Sequence, residues 1–87
     1  ETGGSAVAID FSPDAKQRLL FVLNQNNSQI EIFERETGQR LTIFGRPGAF
    51  PGEFVQADGI AVDSKGNVYI GDIYGERAQK FVPVSKR

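Results

Sequence analysis

The sequence predicts an all-β fold of about two four-stranded antiparallel propeller blades, the second lacking its fourth strand. Three observations predict it. Short apolar runs alternate with turn residues along the 87-residue chain. Apolar residues at helical spacing are missing, and the nearest approach, Asp14 to Leu23, bunches them at one end. The chain also repeats itself. Val7-Ala8-Ile9-Asp10, Leu20-Phe21-Val22-Leu23-Asn24 and Gln29-Ile30-Glu31-Ile32-Phe33 return as Ile60-Ala61-Val62-Asp63, Val68-Tyr69-Ile70-Gly71-Asp72 and Arg77-Ala78-Gln79-Lys80-Phe81. Asp10 and Asp63 lie 53 residues apart, whereas Asn24 and Asp72, and Phe33 and Phe81, lie 48 apart. That difference assigns five extra residues to the first turn of the first unit. A long period built from short strands marks propeller blades.

The elements follow in order. Ser5 to Asp10 is a short strand, and Ser12-Pro13-Asp14 is turn chemistry, with proline presetting φ and polar side chains able to cap backbone N–H groups. Leu19 to Leu23 is continuously apolar, as in a strand covered on both faces. Ile30 to Glu34 alternates, Glu36-Thr37-Gly38 closes a hairpin, and Leu41 to Phe44 alternates again as a fourth strand. In Gly45 to Asp58, three glycines and two prolines break regular structure, and Phe50, Phe54 and Val55 are expected to anchor the segment to neighbouring blades. The meander then restarts. Asp63-Ser64-Lys65-Gly66-Asn67 is a sharp turn in which the Asp63 carboxylate accepts from turn N–H groups and Gly66 takes a positive φ. Val68 to Gly71 and Gln79 to Val82 are the next strands, before Pro83. The division expected is a tail or expression remnant over 1–4, a first blade over 5–45, a connection over 46–57, a second blade over 58–84 and a tail over 85–87.

Composition excludes several function classes. Ten basic and eleven acidic residues give a net charge of −1 without a basic stripe, so neither nucleic acid nor an acidic membrane is an expected electrostatic partner. The absence of Cys and His removes thiolate nucleophiles, the Ser-His-Asp triad and nearly every transition-metal site. No apolar run approaches the ~20 residues of a membrane-spanning helix.

The segment Asp58 to Asp72, with Arg77-Ala78-Gln79-Lys80-Phe81, resembles an NHL repeat: a Gly-Ile-Ala-Val-Asp strand, a Gly-Asn turn, a Val-Tyr strand ending in Asp, then Arg-x-Gln-Lys-Phe. Phe44-Gly45-Arg46-Pro47-Gly48 and Pro51-Gly52-Glu53-Phe54 are similar to the connection between such blades. The resemblance covers about residues 5–84, and Lys80-Phe81 resembles the C-terminal blade of bacterial members. It implies a six-bladed propeller, with a secreted or periplasmic location favoured. A pair of blades leaves open edges. Either three copies close a ring, each N-terminal segment supplying a neighbour's missing strand, or the remainder of a longer chain completes it. Self-association as a symmetric homo-oligomer is the expectation adopted.

The resemblance also brings an enzymatic branch, the zinc- and calcium-dependent amidating lyases. The zinc-binding His they carry before the Gly-Ile-Ala strand is replaced here by Asp58. The function expected is therefore a non-enzymatic NHL-type module that binds a protein, peptide or other ligand through inter-blade loops around a central channel. A fragment of a propeller hydrolase or lyase is the alternative. The candidate contact residues are Arg46 on the glycine-rich connection, Asp58 at the channel, and Tyr74 and Glu76 on one loop, where an aromatic beside Arg77 has the chemistry of an interface anchor. Asp58 carboxylates from ringed copies are a weak calcium candidate, set against turn capping. Turn and loop bonding is the expected role of Asp10, Asp63, Asp72 and Asn24.

Overall fold

A computed structural model of the chain describes residues 6–48, 50–72 and 76–83. Strands β1 (Ala6–Phe11), β2 (Leu19–Asn24), β3 (Gln29–Glu34) and β4 (Arg40–Phe44) form one antiparallel sheet in sequential order. β7 (Ala57–Val62), β8 (Val68–Asp72) and β9 (Arg77–Phe81) form a second, three-stranded one. The described residues contain no helix. The all-β fold of one complete and one three-stranded blade is thus the observed one.

The connection is more ordered than its composition suggests. Arg46–Pro47 (β5) and Glu53–Phe54 (β6) pair in parallel. A loop with two prolines sustains this because Gly48 N–H bonds the Phe54 carbonyl, and Gly48, at φ 144°, leaves room for the Glu53 carboxylate folded against it. Only one of the three expected anchors is buried. Phe54 is fully enclosed, whereas Phe50 and Val55 are exposed, because the loop turns them away from the sheets.

The core lies between the two sheets. Phe21, Leu23 and Ile30 of the first sheet meet Val68, Ile70 and Ala57 of the second, with Phe54 from the connection. Full burial of a side chain such as Leu23 or Ile70 contributes about 1.5–3 kcal/mol. Phe81 closes the outer side, with its ring centroid 5.0 Å from Phe44 and 6.0 Å from Phe54.

Strand pairing corrects the repeat alignment. In the second and third strands the 48-residue spacing holds: Leu20 pairs with Phe33 as Val68 pairs with Phe81, and Asn24 with Gln29 as Asp72 with Arg77. In the innermost strand, Ala8 pairs with Leu23 and Ile9 with Val22, whereas Gly59 pairs with Gly71 and Ile60 with Ile70. The counterpart of Ile9 is therefore Ile60, 51 residues away, and the extra turn length is three residues rather than five. Asp10 corresponds to Ala61, and the counterpart of Asp63 is Ser12.

Turn hydrogen bonds carry the same correction. Ser12 N–H bonds the Leu19 carbonyl at 2.9 Å and Asp63 N–H the Asn67 carbonyl at 3.0 Å. Ser12 Oγ accepts from Leu19 N–H at 3.0 Å, as Asp63 Oδ1 accepts from Asn67 N–H at 2.9 Å. In the longer turn Asp14 completes the scaffold, accepting from the Ser12 hydroxyl and from Arg18 N–H. The Ser12 hydroxyl, then the Arg18 N–H, hold the Asp14 carboxyl below its ordinary range.

Candidate functional site

The registers fix which ends of the strands lie together. The end of β8 and the starts of β7 and β9 share one end of the second sheet, since Ala57 pairs with Asp72 and Asp72 with Arg77. The end of β4 lies at the matching end of the first sheet, where Phe44 pairs with Ile30. Arg46, Asp58 and Glu76 are thereby placed at this loop-bearing end. Tyr74 lies outside the described residues.

Arg46 is held by one ion pair. Its Nε donates to Glu53 Oε2 at 3.0 Å, while its side chain stays 77% exposed. Glu53 Oε1 accepts from Phe50 N–H at 3.2 Å, so this carboxylate ties the arginine to the loop that carries it. Asp58 is exposed at a β-bulge: between Ala57 and Gly59 the inner strand holds one residue more than its partner. The bulge recurs in β1 between Ala6 and Ala8. Glu76 is exposed at a positive φ of 55° just before β9.

Beneath these residues the connection is fastened to the second sheet by buried polar bonds. Asp72 is buried, and its two oxygens accept from Val55 N–H at 2.9 Å and Gln56 N–H at 2.8 Å. Arg77 Nε lies 3.6 Å from Asp72, and its terminal nitrogen donates to the Glu53 carbonyl. Gln79 donates to the same carbonyl at 2.8 Å and accepts from Gly52 N–H at 2.9 Å. Asp72 was expected to bond the loop between the second and third strands of its own blade. Residues 73–75 of that loop lie outside the described ones; the bonds described reach the connection as well, because Asp72 pairs with Ala57, the residue that ends it. Asn24, at the same blade position, does accept from its own loop, from Asn27 N–H at 3.3 Å. The roles of Glu53 and Gln79 went unrecognised, although both lie in the Gly-Glu-Phe and Arg-x-Gln-Lys-Phe patterns.

The other aspartates are engaged by backbone as well. Asp10 Oδ1 accepts from Phe11 N–H and Oδ2 from Val62 N–H of the next sheet, both at 2.8 Å. Asp63 accepts from Lys65 N–H, Asn67 N–H, the Asn67 amide at 3.0 Å and the Tyr69 hydroxyl at 3.1 Å. The Asn67 amide is the largest cause that brings its pKa down to about 2. Among the described residues, no group of three or more acidic side chains stands in metal-binding proximity.

A second feature runs between the sheets from the turns at the opposite end, at Ser12 and Gly66, toward Phe44. An apolar groove of about 300 Å³ opens between the sheets, lined chiefly by Phe21, Ile32, Phe44, Phe81, Val82 and Pro83. It borders the open edge of β9, where the second sheet has no described counterpart of β4. The sequence signal for it was the pair Phe44 and Phe81, which sequence reasoning did not connect.

The architecture defines the class as a β-propeller built of sequential antiparallel meanders. The profile of a family described as "6-bladed beta-propeller" matches residues 14–81. The chain belongs to this six-bladed β-propeller family. No curated protein gives a significant match.

Proposed function

We propose that the chain is an NHL-type propeller module that binds a protein or peptide at the loop-bearing end of its blades, without catalytic chemistry of its own. The observation that carries this reading is the contrast between its charged groups. Asp10, Asp63 and Asp72 are committed to backbone N–H groups, while Arg46 presents a largely exposed guanidinium from a loop fastened by Asp72, Arg77 and Gln79. A charge on a rigid loop recognises a partner at little entropic cost. Asp58 and Glu76 add carboxylates at the same end, suited to basic groups of a partner. Tyr74 is proposed as its aromatic contact. Further blades, from copies of this chain or from a longer one, complete the ring. The Arg-x-Gln-Lys-Phe pattern supports the NHL assignment because its Arg77 and Gln79 perform the fastening.

The test is amide chemical-shift mapping of the labelled chain against a library of charged and aromatic peptides. Perturbations clustered at Arg46, Asp58 and Glu76, and weakened by Arg46→Ala, are expected. Binding elsewhere, or binding indifferent to Arg46→Ala, overturns the reading. Turnover of a hydroxyglycine-terminated peptide in the presence of zinc and calcium would overturn its non-catalytic part.

A further inference from the structure

The connection carries an apolar side chain that the fold does not use. Phe50 is 74% exposed, the most exposed of the large apolar residues described. It belongs neither to the core nor to the ring contacts of Phe44, Phe54 and Phe81. Phe54, four residues on, is fully enclosed. One short segment thus buries one phenyl ring and presents the other.

The presentation is rigid. Phe50 N–H donates to Glu53 Oε1 at 3.2 Å, and the Phe50 carbonyl accepts from Glu53 N–H at 2.9 Å and from Arg77 at 3.4 Å. Gly52 N–H, bonded to the Gln79 side chain at 2.9 Å, ties the same turn to β9. Both polar backbone groups of Phe50 are therefore engaged, so on binding the ring loses little more than its side-chain torsions. A residue on a free loop would lose its backbone freedom as well.

One carboxylate joins this ring to the exposed guanidinium. While Glu53 Oε1 holds Phe50 N–H, Oε2 accepts from Arg46 Nε at 3.0 Å. Gly48 lets the carboxylate lie there, since a Cβ at that position would overlap it. Arg46 gives Glu53 its Nε, and its terminal nitrogens keep N–H donors for a carboxylate from outside. Among the described residues, neither Asp58 nor Glu76 forms an ion pair with Arg46. Aromatic residues and arginine are the side chains over-represented in the cores of protein interfaces.

We propose that Phe50 is the apolar anchor of the loop-bearing end, and that its partner presents an apolar side chain next to a carboxylate. The apolar side chain packs on the Phe50 ring, and the carboxylate pairs with Arg46. Glu53 is the positioning residue, holding both from its two oxygens. That partner chemistry occurs at an acidic residue inside a peptide and at the C-terminus of a chain ending in an apolar residue. The inference rests on the reading above that this end binds a protein or peptide, and adds what the partner must carry.

Phe50→Trp supplies the probe, since the chain has no tryptophan of its own. It is titrated with acetyl-Gly-Asp-Leu-Gly-amide and its Asn counterpart, and with acetyl-Gly-Gly-Leu ending in a free carboxylate or in an amide. A saturable blue shift of the emission is expected from the Asp peptide, the free C-terminus or both, and the peptide that gives it identifies the source. The Asn and amide controls are expected to bind about tenfold more weakly. Against the peptide that binds, followed by the Arg46 amide resonance, Phe50→Ala should lose about tenfold in affinity with an unchanged unfolding midpoint. Leu41→Ala, which removes an exposed leucine from β4, should lose nothing. Glu53→Ala should weaken binding and also lower the heteronuclear NOE of the Phe50 amide; wild-type binding by this variant would overturn the positioning role. Uncharged controls that bind equally well, binding indifferent to Phe50→Ala, or a Phe50→Ala chain of clearly lowered stability overturns the proposal. So does a silent tryptophan while other charged peptides still perturb Arg46, which leaves the loop reading standing. Silence of both probes overturns the loop reading together with this one.

Discussion

The carboxylate of Asp10 in β1 accepts the backbone N–H of Val62 in β7 at 2.8 Å, linking the innermost strands of two successive blades. Gln25 Nε2 also reaches across, donating to the Ala57 carbonyl at 3.1 Å, and core side chains make the rest of the contact described, so the Asp10 bond helps fix the relative height of the sheets as well as adding energy. Its other oxygen bonds Phe11 N–H, which holds the carboxylate in the rotamer that reaches across.

Asp10→Ala should therefore destabilise the chain by about 1.5–3 kcal/mol, the range for hydrogen bonds to charged groups. Urea unfolding followed by circular dichroism checks this. An unchanged midpoint would mean that the bond is replaced by water without cost.

Asp63 makes stability depend on acid. Its pKa falls from 3.8 to about 2 on folding, through the Asn67 amide first and the backbone N–H groups of Asn67 and Lys65 after it. A carboxyl depressed in the folded state binds protons more readily when unfolded, so its contribution is present above pH 4 and is lost as pH falls toward 2. Asp63→Asn should flatten the pH dependence of the unfolding midpoint between those limits. Parallel curves for the two proteins would place the acid sensitivity elsewhere, with Asp14 the next group to examine.

How much of this was legible in the sequence depended on which signal a residue carried. The second and third strands of each blade were read at the correct spacing, because their apolar runs and flanking turn residues agree. The first strand was misaligned by two residues through matching Asp10 to Asp63. Such a slip leaves every side chain on the same face, so alternation cannot detect it; only the pairing partners can. The inequality of Phe50 and Phe54 was invisible for another reason: in a segment rich in Gly and Pro, no periodicity says which phenyl turns inward. Of the candidate site, Arg46 and Asp58 were found from loop composition and resemblance, whereas the bonds from Asp72 to Val55 and Gln56 depend on contacts 17 and 16 residues apart in sequence.

Arg77 offers a sharper test of the fastening. Its Nε stands 3.6 Å from a carboxylate whose side chain is fully buried, and a terminal nitrogen holds the Glu53 carbonyl. Arg77→Ala leaves the Asp72 charge buried with less compensation, for a cost of about 3–5 kcal/mol. Arg46→Ala removes an exposed ion pair, and its cost should stay under about 1 kcal/mol. Thermal melts of the two variants should separate accordingly; equal shifts would remove the distinction between fastening and recognition.

Two glycines separate backbone strain from steric exclusion. Gly38 closes the β3–β4 hairpin at φ 77° and faces open space, so Gly38→Ala meets only the left-handed penalty of about 1–2 kcal/mol. Gly45, at φ 96°, begins the inter-blade connection, and a Cβ there would stand 2.8 Å from Phe54 Cε2 and 2.9 Å from the Ser28 carbonyl oxygen. Neither neighbour yields easily: Phe54 is buried at the centre of the core, and Ser28 is itself buried at a positive φ of 55°. Overpacking adds about 1–3 kcal/mol to the backbone term, so Gly45→Ala should be the more damaging substitution by that amount. It should also shift the amide resonances of Val55 and Gln56, which follow Phe54 and bond Asp72, while Gly38→Ala leaves them in place. Equal destabilisation, with no shift at Val55, would show that the connection relaxes away from the added methyl and that Phe54 is not the anchor of the loop.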